Sequence, residues 1–395
     1  MTFRCQRVYL HVGLPKTGTT SLQELLWHHR EGIAAAGVQY AGPDAAAQHR
    51  AAMDVHRGRY GHWGEEGTAG SWGWLVEQAR AWSGTSVISS ELLAPASPEE
   101  AARVLADLDF AEVHVVCTTR DLARQIPSVW QENVKTRQET SFPRFLAALH
   151  APELDEISRL FWDFQDLPRV LRTWGAGLPP ERVHVVTVPP RGTPGDVLWQ
   201  RFASVLGLDG AALRTAVPHY NNFSLGMAET ELLRRVNAAV GDDLPWLQYA
   251  DVVKDEFAAR ILAARGGSTH IALPAKDYSW VRDAAQRFVD EIAAGGYHVV
   301  GELTDLLPAE PRPGTAGSAE ELVPTDGELL AVAVDALAVL LRREQGPQVM
   351  RVPAPRTRQE SVRALRRALL QLSEQSPSAM NARRIYWRAK ARLRR

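Results

Sequence analysis

The stretch from Val8 to Ser21 constrains the fold of this chain more than any other segment. Residues 8–12 alternate apolar side chains with tyrosine and histidine, which predicts a buried strand. Residues 13–18 contain two glycines and a proline and predict a loop, because these residues interrupt a strand pattern. From Ser21 onward, leucines recur at helical spacing. The segment therefore predicts a strand, a glycine-containing loop and a helix in direct succession.

This succession of elements is typical of an anion-binding site. A loop with glycines can direct several backbone N–H groups at one point, and the positive end of the helix dipole lies beside them. We expect the run Thr19-Thr20-Ser21 to cap the helix. A phosphate group is the most natural ligand for such a site.

The loop departs from the pattern of nucleoside-triphosphate loops, G-x-x-x-x-G-K-[ST]. Gly13, Gly18 and Thr20 fit that pattern, but Thr19 occupies the lysine position and Lys16 lies inside the loop. None of the predicted strands contains a run of four apolar residues that ends in the aspartate needed to hold magnesium. The loop therefore predicts a nucleotide without a metal-bound γ-phosphate, and we expect no metal.

A second strand, predicted over residues 113–119, ends at Arg120, and Ser128 follows eight residues later. An arginine offers a planar fork of donors to phosphate oxygens, and a serine hydroxyl from the next helix adds a further donor. Arg120 and Ser128 are therefore candidates for binding a second phosphate.

Together, the two motifs resemble those of sulfotransferases that use 3′-phosphoadenosine-5′-phosphosulfate (PAPS). The resemblance covers residues 8–128 in its motifs and extends as a general layout to about residue 305. It implies a P-loop-like fold and transfer of a sulfuryl group from PAPS to a hydroxyl, or less often an amine, with release of 3′,5′-adenosine bisphosphate. It assigns the 3′-phosphate to Arg120 and Ser128, and Lys16 to catalysis at the bridging oxygen. It assigns the 5′-phosphate to the residues Lys16, Thr17, Gly18, Thr19, Thr20 and Ser21.

The resemblance also suggests a catalytic base. A predicted strand over residues 85–90 ends at Glu91, and the base of many such enzymes follows this strand. We nominate Glu91, although the cytosolic members of the family carry a histidine there. The alternatives are His11, His49 and His56.

The order of predicted elements indicates an α/β fold with a mostly parallel sheet, helices on both faces and a C-terminal helical extension. We assign residues 1–307 to the sulfotransferase domain. Residues 308–326, rich in proline and glycine, are predicted to form a linker. Residues 327–395 are predicted to form the helical extension, which ends in a basic tail.

Composition limits the location and partners of the protein. No apolar run reaches the 18 to 20 residues of a membrane span, and the N-terminus lacks the apolar core of a secretion signal, which favours the cytoplasm. Cys5 and Cys117 form neither a disulfide framework nor a metal pattern. Residues 383–395 carry seven basic residues and no acid. This tail predicts a solvated helix or contact with an anionic membrane or an acidic partner, and we expect no nucleic-acid partner.

The acceptor is the least determined part of the prediction. Residues 41–72 show little periodicity and are predicted to be an irregular cover over the acceptor, which can be a small molecule or a carbohydrate. His49 and His56 lack the further ligands that a metal site requires. Two other functions compete with sulfuryl transfer. One is a P-loop kinase or nucleotidase that uses ATP and magnesium, and the other is a non-catalytic nucleotide-binding scaffold.

Overall fold

The computed structural model describes residues 6–60, 67–211, 223–241, 243–265, 269–311 and 314–344. Within these residues, six parallel strands form one sheet in the order β2-β3-β1-β4-β5-β6. The strands are β1 (Arg7–Gly13), β2 (Val38–Gln39), β3 (Thr85–Ser89), β4 (Glu112–Thr119), β5 (Val183–Thr187) and β6 (His298–Val300). The predicted α/β class with a parallel sheet is confirmed.

Fifteen α-helices and one π-helix surround this sheet in the described part of the chain. The α-helices are α1 (Thr19–His28), α2 (Arg30–Ala35), α3 (Ala47–Val55), α4 (Arg57–Tyr60), α5 (Ser71–Ala81), α6 (Pro98–Asp107), α7 (Leu122–Lys135), α8 (Phe142–His150), α9 (Glu156–Gln165), α10 (Leu167–Trp174), α11 (Val197–Val205), α12 (Met227–Val240), α13 (Trp246–Tyr249), α14 (Tyr278–Gly295) and α15 (Asp326–Glu344). The π-helix, Ala250–Leu262, directly follows α13. In these residues, no helix combines the length and apolarity required to cross a bilayer.

Both faces of the sheet are covered, which explains why its strands are apolar on both sides. Along β1, Val8, Leu10 and Val12 belong to the core beneath α3, α5, α6 and α10. Tyr9 points to the opposite face, where α1, α2 and α11 supply the covering side chains. Successive side chains of β1 therefore pack into two different cores, one on each face of the sheet.

The structure corrects three predicted elements. Residues 41–72 are not irregular where they are described, because α3, α4 and the start of α5 lie there, with residues 61–66 outside the described part. The sequence pattern predicts a single helix over residues 157–174, but the structure has two helices there, since the Asp166 side chain caps α10 at the break. The pattern also predicts a helix from Gln125 with Pro127 in its first turn, whereas the Asp121 side chain caps α7 earlier and Pro127 lies in the second turn.

The chain divides into two compact units, Met1–Leu337 and Ala338–Arg395, and only residues 338–344 of the second unit are described. The first unit contains the sheet. The boundaries predicted at residues 307 and 326 stay predictions. The basic tail lies outside the described residues.

The topology of the sheet places the predicted site residues along one edge. The carboxyl ends of β1, β3 and β4 are adjacent, since β1 pairs with both of the other strands. In open parallel sheets, ligands bind beyond the carboxyl ends of the strands. The usual position is between two neighbouring strands whose following connections run to opposite faces of the sheet. The loop after β1, Glu91 after β3 and Arg120 after β4 therefore lie at neighbouring positions of the same edge.

Candidate functional site

The loop after β1 is shaped by two glycines that adopt left-handed backbone conformations. Gly13 has φ = +82°, and a Cβ atom at this position would lie 2.7 Å from the Cβ atom of Glu91. Gly18 has φ = +89°, and a Cβ atom there would lie 2.6 Å from Leu198. Both positions require glycine for conformation, and Gly13 also requires it for space, because the backbone of Glu91 lies in the way. The loop is thus packed directly against the residue nominated as the base.

Lys16 itself adopts a left-handed conformation, with φ = +67°. Such a conformation costs a side-chain-bearing residue about 1 kcal/mol or more, and residues that adopt it are concentrated at functional sites. The strained backbone carries a side chain whose Nζ lies 3.0 Å from Oε2 of Glu132 on α7. The lysine of the loop is therefore held in place by a carboxylate from a second element.

Helix α1 begins at Thr19, with Gly18 as its N-cap residue. The expectation that Thr19, Thr20 or Ser21 caps this helix is wrong: no side chain in the described part of the chain caps it. The reason is that the left-handed glycine, rather than a hydroxyl-bearing residue, occupies the N-cap position. The first N–H groups of an uncapped helix remain available to an anion.

Helix α7 joins the two predicted phosphate motifs through Gln125. The Gln125 Nε2 group donates a hydrogen bond to the Pro15 carbonyl oxygen in the loop. Its Oε1 atom accepts a hydrogen bond of 2.9 Å from Nε of Arg120. Gln165 supports the arrangement, because its Oε1 atom accepts a bond of 2.9 Å from the Gln125 amide. One buried side chain thus holds both the loop and the arginine.

Arg120 is half-buried among other cations. Burial lowers the pKa of the Arg120 guanidinium to about 10, and the charges of Arg124 and Arg191 act in the same direction, against the carboxylate of Asp121. The guanidinium also donates a bond of 2.9 Å to the Arg124 carbonyl oxygen. Arg191, which lies after β5, therefore contributes to the same positive region. A phosphate bound here would relieve the repulsion between these groups.

Ser128 lies on the face of α7 that points toward the loop. Gln125, Ser128 and Glu132 are spaced at i, i+3 and i+7, so they form one stripe along the helix. The residue before Ser128 on this stripe contacts Pro15, and the residue after it contacts Lys16. The half-buried Ser128 is thus placed between two contacts to the loop.

Glu91 begins a short 3₁₀ turn after β3. Its Oε2 atom accepts a hydrogen bond of 3.0 Å from Gln23 of α1. The Glu91 carboxylate also contributes, after burial, to raising the pKa of Tyr40. The carboxylate therefore lies between the first helix and Tyr40, at the same sheet edge as the loop.

A buried polar chain runs beneath the site across three strands. Nδ1 of His11 lies 2.8 Å from the Ser89 hydroxyl, and Nε2 lies 3.1 Å from the Thr118 hydroxyl. The Thr118 hydroxyl lies 2.7 Å from that of Thr17, which donates to the Leu14 carbonyl oxygen at 2.6 Å. Burial lowers the pKa of His11 to about 3, so its imidazole is neutral at neutral pH. His11 therefore supports the loop from below.

We expect the free energy of unfolding to fall as the pH drops below 6.5. The unfolded chain protonates His11 near pH 6.5, whereas the folded protein resists protonation until about pH 3. Between these values the unfolded state binds the extra proton, so stability is complete above pH 6.5 and is lost progressively below it. Urea titrations at several pH values measure the slope of the free energy of unfolding against pH. Between the two pKa values, His11→Asn should reduce this slope by about 1.4 kcal/mol per pH unit. An unchanged slope would mean that His11 is not held neutral.

The other two histidine candidates lie in α3 and directly after it. His56 is buried, with Nδ1 3.0 Å from the carboxylate of Glu100. Burial lowers the pKa of His56, although Glu100 opposes this effect. His49 lies two helical turns earlier, within α3 itself. Among the described residues, no group of three or more histidine, cysteine and acidic side chains is arranged to hold a metal ion.

Sequence reasoning missed several residues that complete the arrangement, namely Gln125, Glu132, Arg124 and Lys254. The helical spacing of Gln125 and Glu132 from Ser128 is a signal that could have identified both. Arg124 could have been found from the cap at Asp121, which sets the start of the helix. Lys254 lies more than a hundred residues from the motifs, and no local pattern connects it to them.

A cavity of about 610 Å³ lies elsewhere, beyond the C-terminal end of α7. Its lining includes Arg137, Arg144 and Arg234, whose guanidinium groups already donate to carboxylate or carbonyl oxygens. It does not lie at the ends of the strands. The candidate site is therefore defined by converging charges and N–H groups rather than by this cavity.

No family model, curated protein or solved structure matches the chain.

Proposed function

We propose that this protein is a PAPS-dependent sulfotransferase that works in the cytoplasm. One observation carries the proposal: Gln125 binds both Pro15 of the loop and Arg120, so the two predicted phosphate sites face one region. A nucleotide with phosphates at both the 5′ and the 3′ positions needs two such sites. The uncapped start of α1 supports the first site, and the positive region around Arg120 supports the second.

Each group of residues in the site would have a separate role in the reaction. The N–H groups at the start of α1 and the hydroxyls of Thr19 and Thr20 would hold the 5′-phosphate. Arg120 and Ser128 would bind the 3′-phosphate, which distinguishes this donor from ordinary adenine nucleotides. Lys16 would stabilise the bridging oxygen as negative charge develops on it.

The proposed transfer exchanges one bond to sulfur for another. The acceptor oxygen forms a bond to sulfur while the bond from sulfur to the 5′-phosphate oxygen breaks. The acceptor proton passes to Glu91, and the electron pair of the broken bond stays on the departing bisphosphate. Glu91 suits the role of base because it lies against Gly13 of the loop, at the sheet edge where the sulfuryl group would be held.

Calorimetry with three nucleotides tests the choice of donor. We expect 3′,5′-adenosine bisphosphate to bind without added metal, and more tightly than adenosine 5′-phosphosulfate. Tight binding of ATP that requires magnesium would favour a kinase or nucleotidase instead. Incubation with ³⁵S-labelled PAPS and a metabolite extract then tests turnover, since a labelled product would also identify the acceptor. Binding of the bisphosphate without any product would favour the non-catalytic scaffold.

The substitution Glu91→Gln tests the base. We expect turnover to fall about 10²- to 10⁴-fold, because an amide cannot accept the acceptor proton. The affinity for 3′,5′-adenosine bisphosphate should stay nearly unchanged, since the amide keeps its size beside Gly13 and its bond to Gln23. The matched control is Glu77→Gln, on the exposed side of α5. If Glu91→Gln retained activity, a nearby histidine would be the base instead of Glu91.

A further inference from the structure

The lysines of this chain are few and unevenly placed. Among 45 lysine and arginine residues, only five are lysines. Three of the five, Lys16, Lys135 and Lys254, meet at the carboxylate of Glu132. The three Nζ atoms lie 3.0, 3.5 and 3.4 Å from its oxygens, respectively. Because most cations of this chain are arginines, three lysines at one carboxylate are an unusual concentration of compact ammonium groups.

The cluster carries more positive charge than Glu132 neutralises. Burial favours the protonated form of Glu132, but the three ammonium groups prevail and hold its pKa well below its usual range. Lys135 is affected in the opposite way: burial lowers its pKa to about 8, and the neighbouring lysines contribute to this shift. Three cations against one carboxylate leave an excess of two positive charges in a half-buried region. An anion that joins the cluster would offset this excess of positive charge.

The three lysines are not equally available to a ligand. Lys135 is only 4% exposed, donates to the Phe223 carbonyl oxygen at 2.7 Å and lies over the Phe223 ring. It is fixed in the structure. Lys16 and Lys254 are 24% and 29% exposed, and each binds a different oxygen of Glu132. Lys16 is the lysine that the proposed function assigns to the donor, so Lys254 is the one that can turn from the carboxylate toward a second ligand without disturbing the core.

Lys254 approaches from a part of the fold that the donor sites do not use. It belongs to the π-helix Ala250–Leu262, whereas the loop, Arg120 and Ser128 follow β1 and β4 directly. If the donor phosphates occupy those residues, as the proposed function requires, Lys254 remains for the other substrate. A π-helix is rare, and short π-helical turns are often found at functional sites.

We propose that Lys254, the exposed lysine of this cluster that the donor does not use, forms a subsite for an anionic group on the acceptor. This inference rests on the proposed function and narrows its substrate class. The acceptors are molecules that already carry a sulfate ester, a phosphate ester or a carboxylate near the hydroxyl that receives the new sulfuryl group. All three groups present the charged oxygens that ammonium donors bind.

Calorimetric titrations of small anions test the subsite. Methyl sulfate, methyl phosphate and acetate are titrated separately, at low ionic strength, into protein saturated with 3′,5′-adenosine bisphosphate. We expect at least one of them to bind to the wild type and to bind roughly tenfold more weakly to Lys254→Gln. The control Lys276→Gln removes an exposed lysine paired with Glu320 and should leave anion binding unchanged. The order of the three affinities identifies which anionic group the subsite prefers.

Two results would overturn the proposal. In the first, the wild type binds none of the anions, or Lys254→Gln binds them as the wild type does. In the second, Lys254→Gln weakens bisphosphate binding as much as Arg120→Ala does, which would assign Lys254 to the donor. If the wild type does not bind the bisphosphate, the proposed function fails. The same titrations on nucleotide-free wild type and Lys254→Gln then decide whether the Lys254 subsite exists.

Discussion

Replacing Lys16 with alanine should reduce sulfuryl transfer about 10²- to 10³-fold, the usual cost of removing one preorganised group that stabilises developing charge. Lys16 adopts a strained, left-handed backbone conformation, and Glu132 fixes the position of its ammonium group. Alanine would keep the fold, because Glu132 retains Lys135 and Lys254 as partners. Turnover of labelled PAPS with the identified acceptor measures the effect.

The matched control for this experiment is Lys276→Ala, which removes a half-exposed lysine from a surface ion pair with Glu320. Its turnover and melting temperature should equal those of the wild type, because surface ion pairs contribute little. Near-normal turnover of Lys16→Ala would remove the lysine from the mechanism. A large drop in melting temperature for Lys16→Ala alone would instead indicate a structural role.

Replacing Arg120 with alanine should weaken binding of 3′,5′-adenosine bisphosphate roughly 10- to 100-fold, as expected from the loss of charge-assisted hydrogen bonds to one phosphate. Adenosine 5′-phosphosulfate lacks the 3′-phosphate, so its affinity should change far less. The comparison of the two ligands in calorimetry separates a lost phosphate contact from general damage to the site. Arg120→Lys should recover only part of the affinity, since a lysine keeps the charge but not the planar fork.

The control for Arg120 is Arg172→Ala, whose guanidinium lies on the surface beside Glu291. It should bind both nucleotides as the wild type does. Equal losses for the two nucleotides in Arg120→Ala would refute the role of Arg120 at the 3′-phosphate. They would indicate that the arginine acts by holding Gln125, and through it the loop.

The sequence predicted the parallel sheet because its strands are short apolar runs separated by helices, and local periodicity is enough to recognise them. It failed over residues 41–72, because the buried face of α3 consists largely of alanine with few large apolar side chains, although the helix packs well in the core. It also placed the start of α7 too late. The cap at Asp121, rather than the apolar pattern, sets that boundary.

The candidate site was predictable only where its residues follow strands in the sequence. The loop, Glu91 and Arg120 could be proposed because parallel strands end at one edge, and the structure places all three there. Glu132 could have been found only through its helical spacing from Ser128. Lys254 acts through a contact between distant segments, and a single sequence carries no signal for such a pair. The failure to expect Gly18 as the N-cap has a similar origin, since the backbone conformation of a glycine is set by its surroundings.

The contact between Gly13 and Glu91 has a consequence for any effort to redesign this protein. A methyl group at Gly13 would collide with Glu91. The loop that would bind the donor and the turn that would carry the base are therefore in direct contact. The two turns must therefore shift as a unit, and a substitution that moved one would carry the other along. Substitutions intended to change which acceptors are used are better made at Lys254. Its half-exposed side chain can be replaced without displacing the contact between Gly13 and Glu91.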